Sequence, residues 1–176
     1  NEMRSLGFIK EVKSEFLFNT IHTDVQKSSV IVFLSEILNS VFREELEVNQ
    51  DLFNFLLNSL LWYDNINECN KFHIKFLIEL SRYIGFHPNI RNKEDMYFCL
   101  ESGSTSNTKP VAGKIEGEDL NLFKKLLGTK FEDLNTISVN RESRTRILNK
   151  IIDYYSLHLQ MFKTPKSIHV FAEVFK

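Results

Sequence analysis

The sequence predicts a mainly α-helical bundle of about six helices with one loop insertion, preceded by a single orphan strand. Three observations lead there. Six Gly and three Pro in 176 residues leave too few turn formers for a β-sandwich or barrel. Apolar residues recur at three- and four-residue steps from about Asp24 onward, the period of a helix with one buried stripe. Sixteen Phe supply a bulky aromatic core. A chain of this length buries such a core without disulfide staples.

The elements follow in order. Leu6 to Phe18 places Phe8, Ile9, Val12, Phe16, Leu17 and Phe18 among Lys10, Glu11, Lys13 and Glu15, which reads as one extended strand. A lone strand cannot satisfy its own backbone, so this segment wants a sheet that the rest of the chain scarcely supplies. The first helix carries Val30, Phe33, Leu34, Ile37, Leu38, Val41 and Phe42 inward and closes on the charged run Arg43-Glu44-Glu45. Asn49 is the N-cap of a second helix, Asp51 to Tyr63, whose wealth of Leu and Phe makes it the expected buried centre. A third helix spans about Asn70 to Ile84, with Gly85 in the left-handed position after it. Asp95 to Leu100 is a short strand, and residues 101–117 form a loop by composition. A fourth helix bears Leu120, Phe123, Leu126 and Leu127 and ends at Gly128. Asn140 caps a long fifth, and Thr164-Pro165 separates it from a last helix, Lys166 to Phe175.

Composition excludes several classes of function. Two Cys, Cys69 and Cys99, cannot build a disulfide framework or a four-thiolate zinc site, and a reducing, cytoplasmic setting is the expectation. No apolar run is long enough to span a membrane, and no partner membrane is expected. The formal net charge of −1 gives no global pull toward nucleic acid, yet charge is uneven along the chain. Residues 139–176 hold seven Lys and Arg against three acids, a net of +4, while the remainder is 15 against 20, a net of −5. The C-terminal part is therefore the face for an anionic partner.

Catalytic signatures are absent. None of His22, His73, His87, His158 and His169 forms a His-Glu-x-x-His pair, and neither a phosphate-cradling glycine loop nor a Gly-x-Ser-x-Gly elbow occurs. Glu118-Asp119 at a helix start is explained by the helix dipole without acid–base work. The expectation is a protein that is not an enzyme and carries no metal or cofactor.

Two constellations remain. Lys71, Lys75 and Arg82 lie on the third helix with Phe72 and Phe76 between them, and Lys71 and Lys75 are one turn apart. Two ammonium groups at that spacing can rim an apolar groove for an acidic, hydrophobic peptide, though the same pattern is also that of a helix with a solvated lysine edge. Arg141, Arg144 and Arg146 start the fifth helix, where cations oppose the macrodipole. That misfit favours a phosphate-facing role, with simple solvation as the alternative.

Several stretches, taken in succession, resemble the helical C-terminal domain of the RecO recombination mediators, most closely the Bacteroidetes type. They are Ser28-Ser29-Val30-Ile31-Val32-Phe33-Leu34-Ser35-Glu36-Ile37-Leu38, Phe72 through Tyr83-Ile84-Gly85-Phe86-His87-Pro88, and Asn121-Leu122-Phe123-Lys124-Lys125-Leu126-Leu127-Gly128. Tyr154-Tyr155-Ser156-Leu157-His158-Leu159 and Lys163-Thr164-Pro165-Lys166-Ser167 complete the series.

The resemblance implies that residues 1–20 hold the last strand of an N-terminal OB-fold and that residues 21–176 are the helical domain. It implies recognition of single-stranded DNA, association with RecR, and docking of the acidic C-terminal tail of the single-stranded-DNA-binding protein. RecA loading and strand annealing follow from these. On this reading Lys71, Phe72, Lys75, Phe76 and Arg82 form the peptide groove, and Arg141, Arg144, Arg146, Lys150, Lys163 and Lys166 face phosphate. Many members carry a four-Cys zinc module after the Gly-Tyr turn, but residues 89–117 here hold only Cys99, so this region is expected to be metal-free. The family's Leu-Lys-Ser-Arg near the C-terminus corresponds to Pro165-Lys166-Ser167-Ile168, without the last Arg. A helical protein-binding scaffold without nucleic-acid binding is the alternative.

Overall fold

The apolar steps become five α-helices, three of them begun by a capping Asp or Asn side chain. The computed structural model describes residues 10–43, 48–67 and 70–168. Helix α1 (Val25–Val41) starts at Asp24, whose carboxylate accepts the Lys27 N–H at 3.0 Å. Helix α2 (Gln50–Asn65) starts at Asn49, which accepts the Leu52 N–H at 2.9 Å. Helix α3 (Phe72–Tyr83) is followed by Gly85 at φ +87°, a conformation natural to glycine. Helix α4 (Gly117–Gly128) and a single 3₁₀ turn (Leu134–Thr136) lead into α5 (Arg141–His158). Asn140 caps α5 by accepting the Ser143 N–H at 2.8 Å.

The buried centre is α3, and not α2 as its composition suggested. Phe72, His73, Ile74, Lys75, Phe76, Leu77, Ile78, Leu80 and Ser81 are all buried, because α3 is packed by α2, α4 and α5 on different sides. Helix α2 lies on the flank. It buries Leu52, Phe55 and Tyr63, leaves Leu56, Leu57, Leu60 and Leu61 half-buried, and exposes Phe53. The aromatic core expected from the Phe content is present as a chain of rings. Tyr83 stacks on Phe55 with centroids 4.7 Å apart, Phe55 meets Phe76 at 5.2 Å, and Phe72 stacks on Tyr63 at 4.0 Å.

The expected loop at 101–117 is a second difference. Strand β1 (Tyr97–Cys99) lies in the predicted stretch, but β2 (Ser104–Ser106) and β3 (Lys114–Glu116) pair on either side of it in an antiparallel sheet of order β2-β1-β3. The inner face is formed by Phe98, Thr105 and Ile115, which are buried side by side in register. Phe98 then packs on Phe123 of α4 at 4.9 Å. Strands β2 and β3 are three residues long with one apolar side chain, Ile115, between them, too little alternation to signal a strand. Helix α5 locks onto the rest through two neighbouring phenols. Tyr155 donates its hydroxyl to the Leu77 carbonyl at 2.6 Å, and Tyr154 donates to the Phe86 carbonyl.

Residues 10–18 form no strand. Val12 and Leu17 are exposed, and no ladder partner exists for this stretch among the described residues, so its extended pattern has nothing to pair with. The start of the predicted strand (Leu6 to Ile9), Glu44-Glu45, Cys69, His169 and the last helix beyond Ile168 lie outside the described residues.

Candidate functional site

Lys71 and Lys75 do not rim an open groove. Lys71 is 8% exposed and its ammonium reaches Asn70 Oδ1 at 3.4 Å. Lys75 is 3% exposed, pairs with the Glu79 carboxylate one turn on, and donates to the Leu127 carbonyl at the end of α4, at 3.1 Å. The Leu127 carbonyl is one of those that a helix end leaves without an intrahelical partner, so Lys75 caps α4 from inside the fold. Phe72 and Phe76 are fully buried core rings. Of the expected groove residues, Arg82 alone is open. It pairs with Glu79 at 3.4 Å and donates to His87 Nε2 at 3.1 Å. Burial, and then the adjacent Arg82 guanidinium, lowers the His87 pKa, in keeping with an imidazole that accepts from Arg82 and donates from Nδ1 to the Ile78 carbonyl.

An open groove does lie over the aromatic ladder of α3, displaced from the predicted residues. It encloses about 620 Å³ between α2 and the turn after α4. Phe55, Trp62, Tyr83 and Phe131 form its apolar walls, and Asn54, Asn58 and Ser59 of α2 add polar groups. Trp62 contacts Phe131 at 5.4 Å between ring centroids and Phe72 beneath at 6.0 Å. The rim is acidic: Asp51 and Glu132 line it, and among the described residues that line it none is Lys, Arg or His. A sequence signal existed in Phe131, a lone aromatic in the polar turn Thr129-Lys130-Phe131-Glu132-Asp133.

The cations of α5 divide by their surroundings. Arg146 makes a two-pronged pair with Asp119 of α4, Nε to Oδ2 at 2.8 Å and Nη2 to Oδ1 at 2.9 Å, and also donates to the Ser143 hydroxyl. These hydrogen bonds raise its pKa and commit it to joining α4 and α5. Arg144 is 8% exposed, and burial together with the like charge of Arg141 lowers its pKa. Arg141 is exposed on the first turn, and Lys150 is partly exposed and 3.9 Å from Asp153. Lys163 and Lys166 are exposed beyond the helix. The structure thus buries Arg144, engages the exposed Arg146 with Asp119, and leaves Arg141, Lys150, Lys163 and Lys166 exposed or partly exposed.

A polar knot absent from the sequence reading holds the entry to the domain. Asp64, 3% exposed in the last turn of α2, accepts the backbone N–H groups of Asn19 at 2.7 Å, Thr20 at 2.8 Å and Ile21 at 2.9 Å. Burial alone pushes its pKa upward, but these donors and the Thr20 hydroxyl outweigh it and hold the carboxyl well below the usual range. Lys27, 4% exposed, donates to the Asp64 carbonyl at 2.9 Å, to the Ile66 carbonyl and to the Thr20 hydroxyl. The available signal was an acid in the last turn of a helix, where the macrodipole disfavours it.

His73 is completely buried against Phe33, and burial, then the nearby Arg144, lowers its pKa to about 3. No cluster of three His, Cys, Asp or Glu among the described residues could hold a metal ion. No helix among them is long and apolar enough to cross a membrane.

Comparison with known proteins places this arrangement. A family model described as "Recombination protein O C terminal" matches residues 22–168. The chain is 42% identical over 171 residues to a DNA repair protein RecO of Flavobacterium psychrophilum, covering 97% of this chain and 71% of the relative. It is 38% identical to that of Flavobacterium johnsoniae and 36% identical to that of Christiangramia forsetii, with the same coverage of 97% and 71%. No solved structure matches. The helices, their order and this match from α1 to the segment after α5 identify the chain as a member of the RecO family of DNA repair proteins, through its C-terminal helical domain.

Proposed function

We propose that this chain serves a recombination mediator that works by recognition and not by catalysis. Its ligands are single-stranded DNA and the acidic C-terminal tail of the single-stranded-DNA-binding protein, and with RecR it promotes RecA loading and strand annealing. The observation that carries this reading is the net +4 of residues 139–176 within a RecO-family domain, where Arg141, Lys150, Lys163 and Lys166 remain exposed or partly exposed. Both proposed ligands are polyanions, so the same open cations, with Arg82, suit either. Residues 1–20 belong, in this reading, to the end of an OB-fold. The exposed Val12 and Leu17 are side chains that such a neighbouring domain would cover.

The test is an anisotropy titration of the chain with a labelled oligonucleotide and with a labelled copy of the acidic tail, across a range of salt. Each phosphate contact steepens the logarithmic salt dependence by about 0.7 on a single strand. Arg141→Glu with Lys150→Glu is expected to flatten the slope by roughly 1.4 units on that basis. Binding that ignores salt and survives the double reversal would instead make the domain a protein-binding scaffold.

A further inference from the structure

The groove over α3 carries the same sign as the polyanionic ligands just proposed, and so does not suit them. Its walls are the faces and edges of Phe55, Trp62, Tyr83 and Phe131, and its rim is Asp51 and Glu132. Its volume of about 620 Å³ is that of an ordinary ligand pocket, for which the span is on the order of 300–1,000 Å³. Of the cations on α3, Lys75 is buried and occupied by Glu79 and the Leu127 carbonyl, so it cannot turn outward without uncapping α4, and Arg82 does not line the groove but is engaged by Glu79 and His87.

An acidic segment entering this groove would bring carboxylates beside Asp51 and Glu132 with no lining cation to receive them. An Arg or Lys side chain meets complementary charge at both rims, and the ring faces between them attract a cation through their quadrupoles. Arg suits the site better than Lys, because its planar guanidinium stacks on an aromatic face while donating in a fork to a carboxylate.

We propose that this groove is a docking site for a basic segment of a partner protein, one that presents Arg between aliphatic side chains, and that it is distinct from the cationic face of α5. The charge of its rim fixes the choice of ligand. The wall rings bury the aliphatic flanks, while Asp51 and Glu132 bind the guanidinium groups. The polar amides of Asn54 and Asn58 on the α2 side can meet the segment's main chain.

The chain provides its own reporter, since Trp62 is the single tryptophan and stands in the wall. Two short peptides without tryptophan serve as probes, one with the core Arg-Leu-Arg-Leu and a twin with Glu-Leu-Glu-Leu. The Arg peptide should change Trp62 emission saturably at low salt, and its affinity should fall severalfold at physiological salt. Asp51→Asn with Glu132→Lys should weaken it by about tenfold or more. Glu132→Lys alone, in a turn outside any helix, should give part of that loss, which separates recognition from any folding effect on α2. The inference is overturned if the Glu twin binds as tightly as the Arg peptide, if the Arg peptide is indifferent to these substitutions, or if neither peptide changes Trp62 emission. Binding of the acidic-tail peptide in this groove would overturn it too, while leaving the mediator reading intact.

Discussion

Thr20 and Asp64 are joined from two sides: the backbone N–H of Thr20 donates to Oδ1 at 2.8 Å, and its one hydroxyl hydrogen is shared between that oxygen at 3.0 Å and the Asp64 carbonyl. Neutralising this carboxylate should loosen the entry to the domain before it melts the bundle. Asp64→Asn keeps Oδ1 for Thr20 and Ile21 but turns an amide N–H₂ toward the Asn19 N–H. The expected cost is about 1–3 kcal/mol, read from urea denaturation, with faster hydrogen exchange at Asn19, Thr20 and Ile21. An unchanged midpoint would show that the knot adds nothing.

Acid should destabilise the fold in two windows, set by two buried groups. His73 is held neutral down to about pH 3, while the unfolded side chain takes up a proton near its ordinary value of 6.5. Between those values the unfolded state binds the extra proton, so stability falls as pH drops, by at most about 1.4 kcal/mol per pH unit. His73→Leu should flatten this slope. Asp64, whose pKa is lowered, contributes stability present above the usual carboxylate range and lost as pH falls below it. Asp64→Asn should therefore lower stability by its full cost above the carboxylate range, with the difference from the parent closing only at the more acidic end. Unfolding midpoints from pH 7.5 to 3 for both variants distinguish the two.

Reversing a buried lysine and reversing an exposed arginine should look entirely different. Lys75→Glu places a second carboxylate beside Glu79 and uncaps the Leu127 carbonyl. It should cost about 3–5 kcal/mol, so a loss of ligand binding in this variant reports unfolding. Arg141→Glu sits on the first exposed turn of α5, where an acid suits the helix dipole, and should leave the melting temperature within a degree or two of the parent. Thermal melts recorded beside each titration make the comparison.

Two glycines with positive φ should respond unequally to a methyl group. A Cβ on Gly103 would stand 2.6 Å from the Tyr154 hydroxyl oxygen, which is engaged with the Phe86 carbonyl, and φ there is +63°. Gly103→Ala should cost about 1–3 kcal/mol through strain and the displaced phenol. At Gly85, φ +87°, nothing lies within 4 Å of the added atom, so Gly85→Ala should cost only about 1 kcal/mol. Equal losses would mean that the Tyr154 contact is immaterial.

The helices were legible because the period of their apolar residues is a direct image of burial on one side. Asn49 and Asn140 marked starts for the same local reason, and Gly85 marked an end. What pattern could not convey was position among neighbours. The Leu-rich α2 has more apolar residues than a flanking helix can bury, whereas α3 is surrounded, so even Lys75 and His73 are interior. Periodicity places a lysine on a face but does not say what covers that face. Lys71 and Lys75 therefore read as a rim, and Arg144 and Arg146 as parts of an open stripe, until α4 is seen beside Lys75 and Arg146. The groove of Trp62, Phe55, Tyr83 and Phe131 escaped for a related reason, since its walls come from three separate stretches.

The paired phenols of α5 set how much freedom the middle of the chain enjoys. Tyr155 reads the backbone of α3 at Leu77, and Tyr154 reads the turn after it at Phe86, so the register of the last long helix is fixed by groups that precede the sheet. Everything between His87 and Asn140 leaves and re-enters a frame that is already held at both ends. The exposed stretch between β2 and β3 can therefore grow or shrink at a modest entropic cost, while Phe98, Gly103 and Leu100, which meet α4 and α5, must stay where they are.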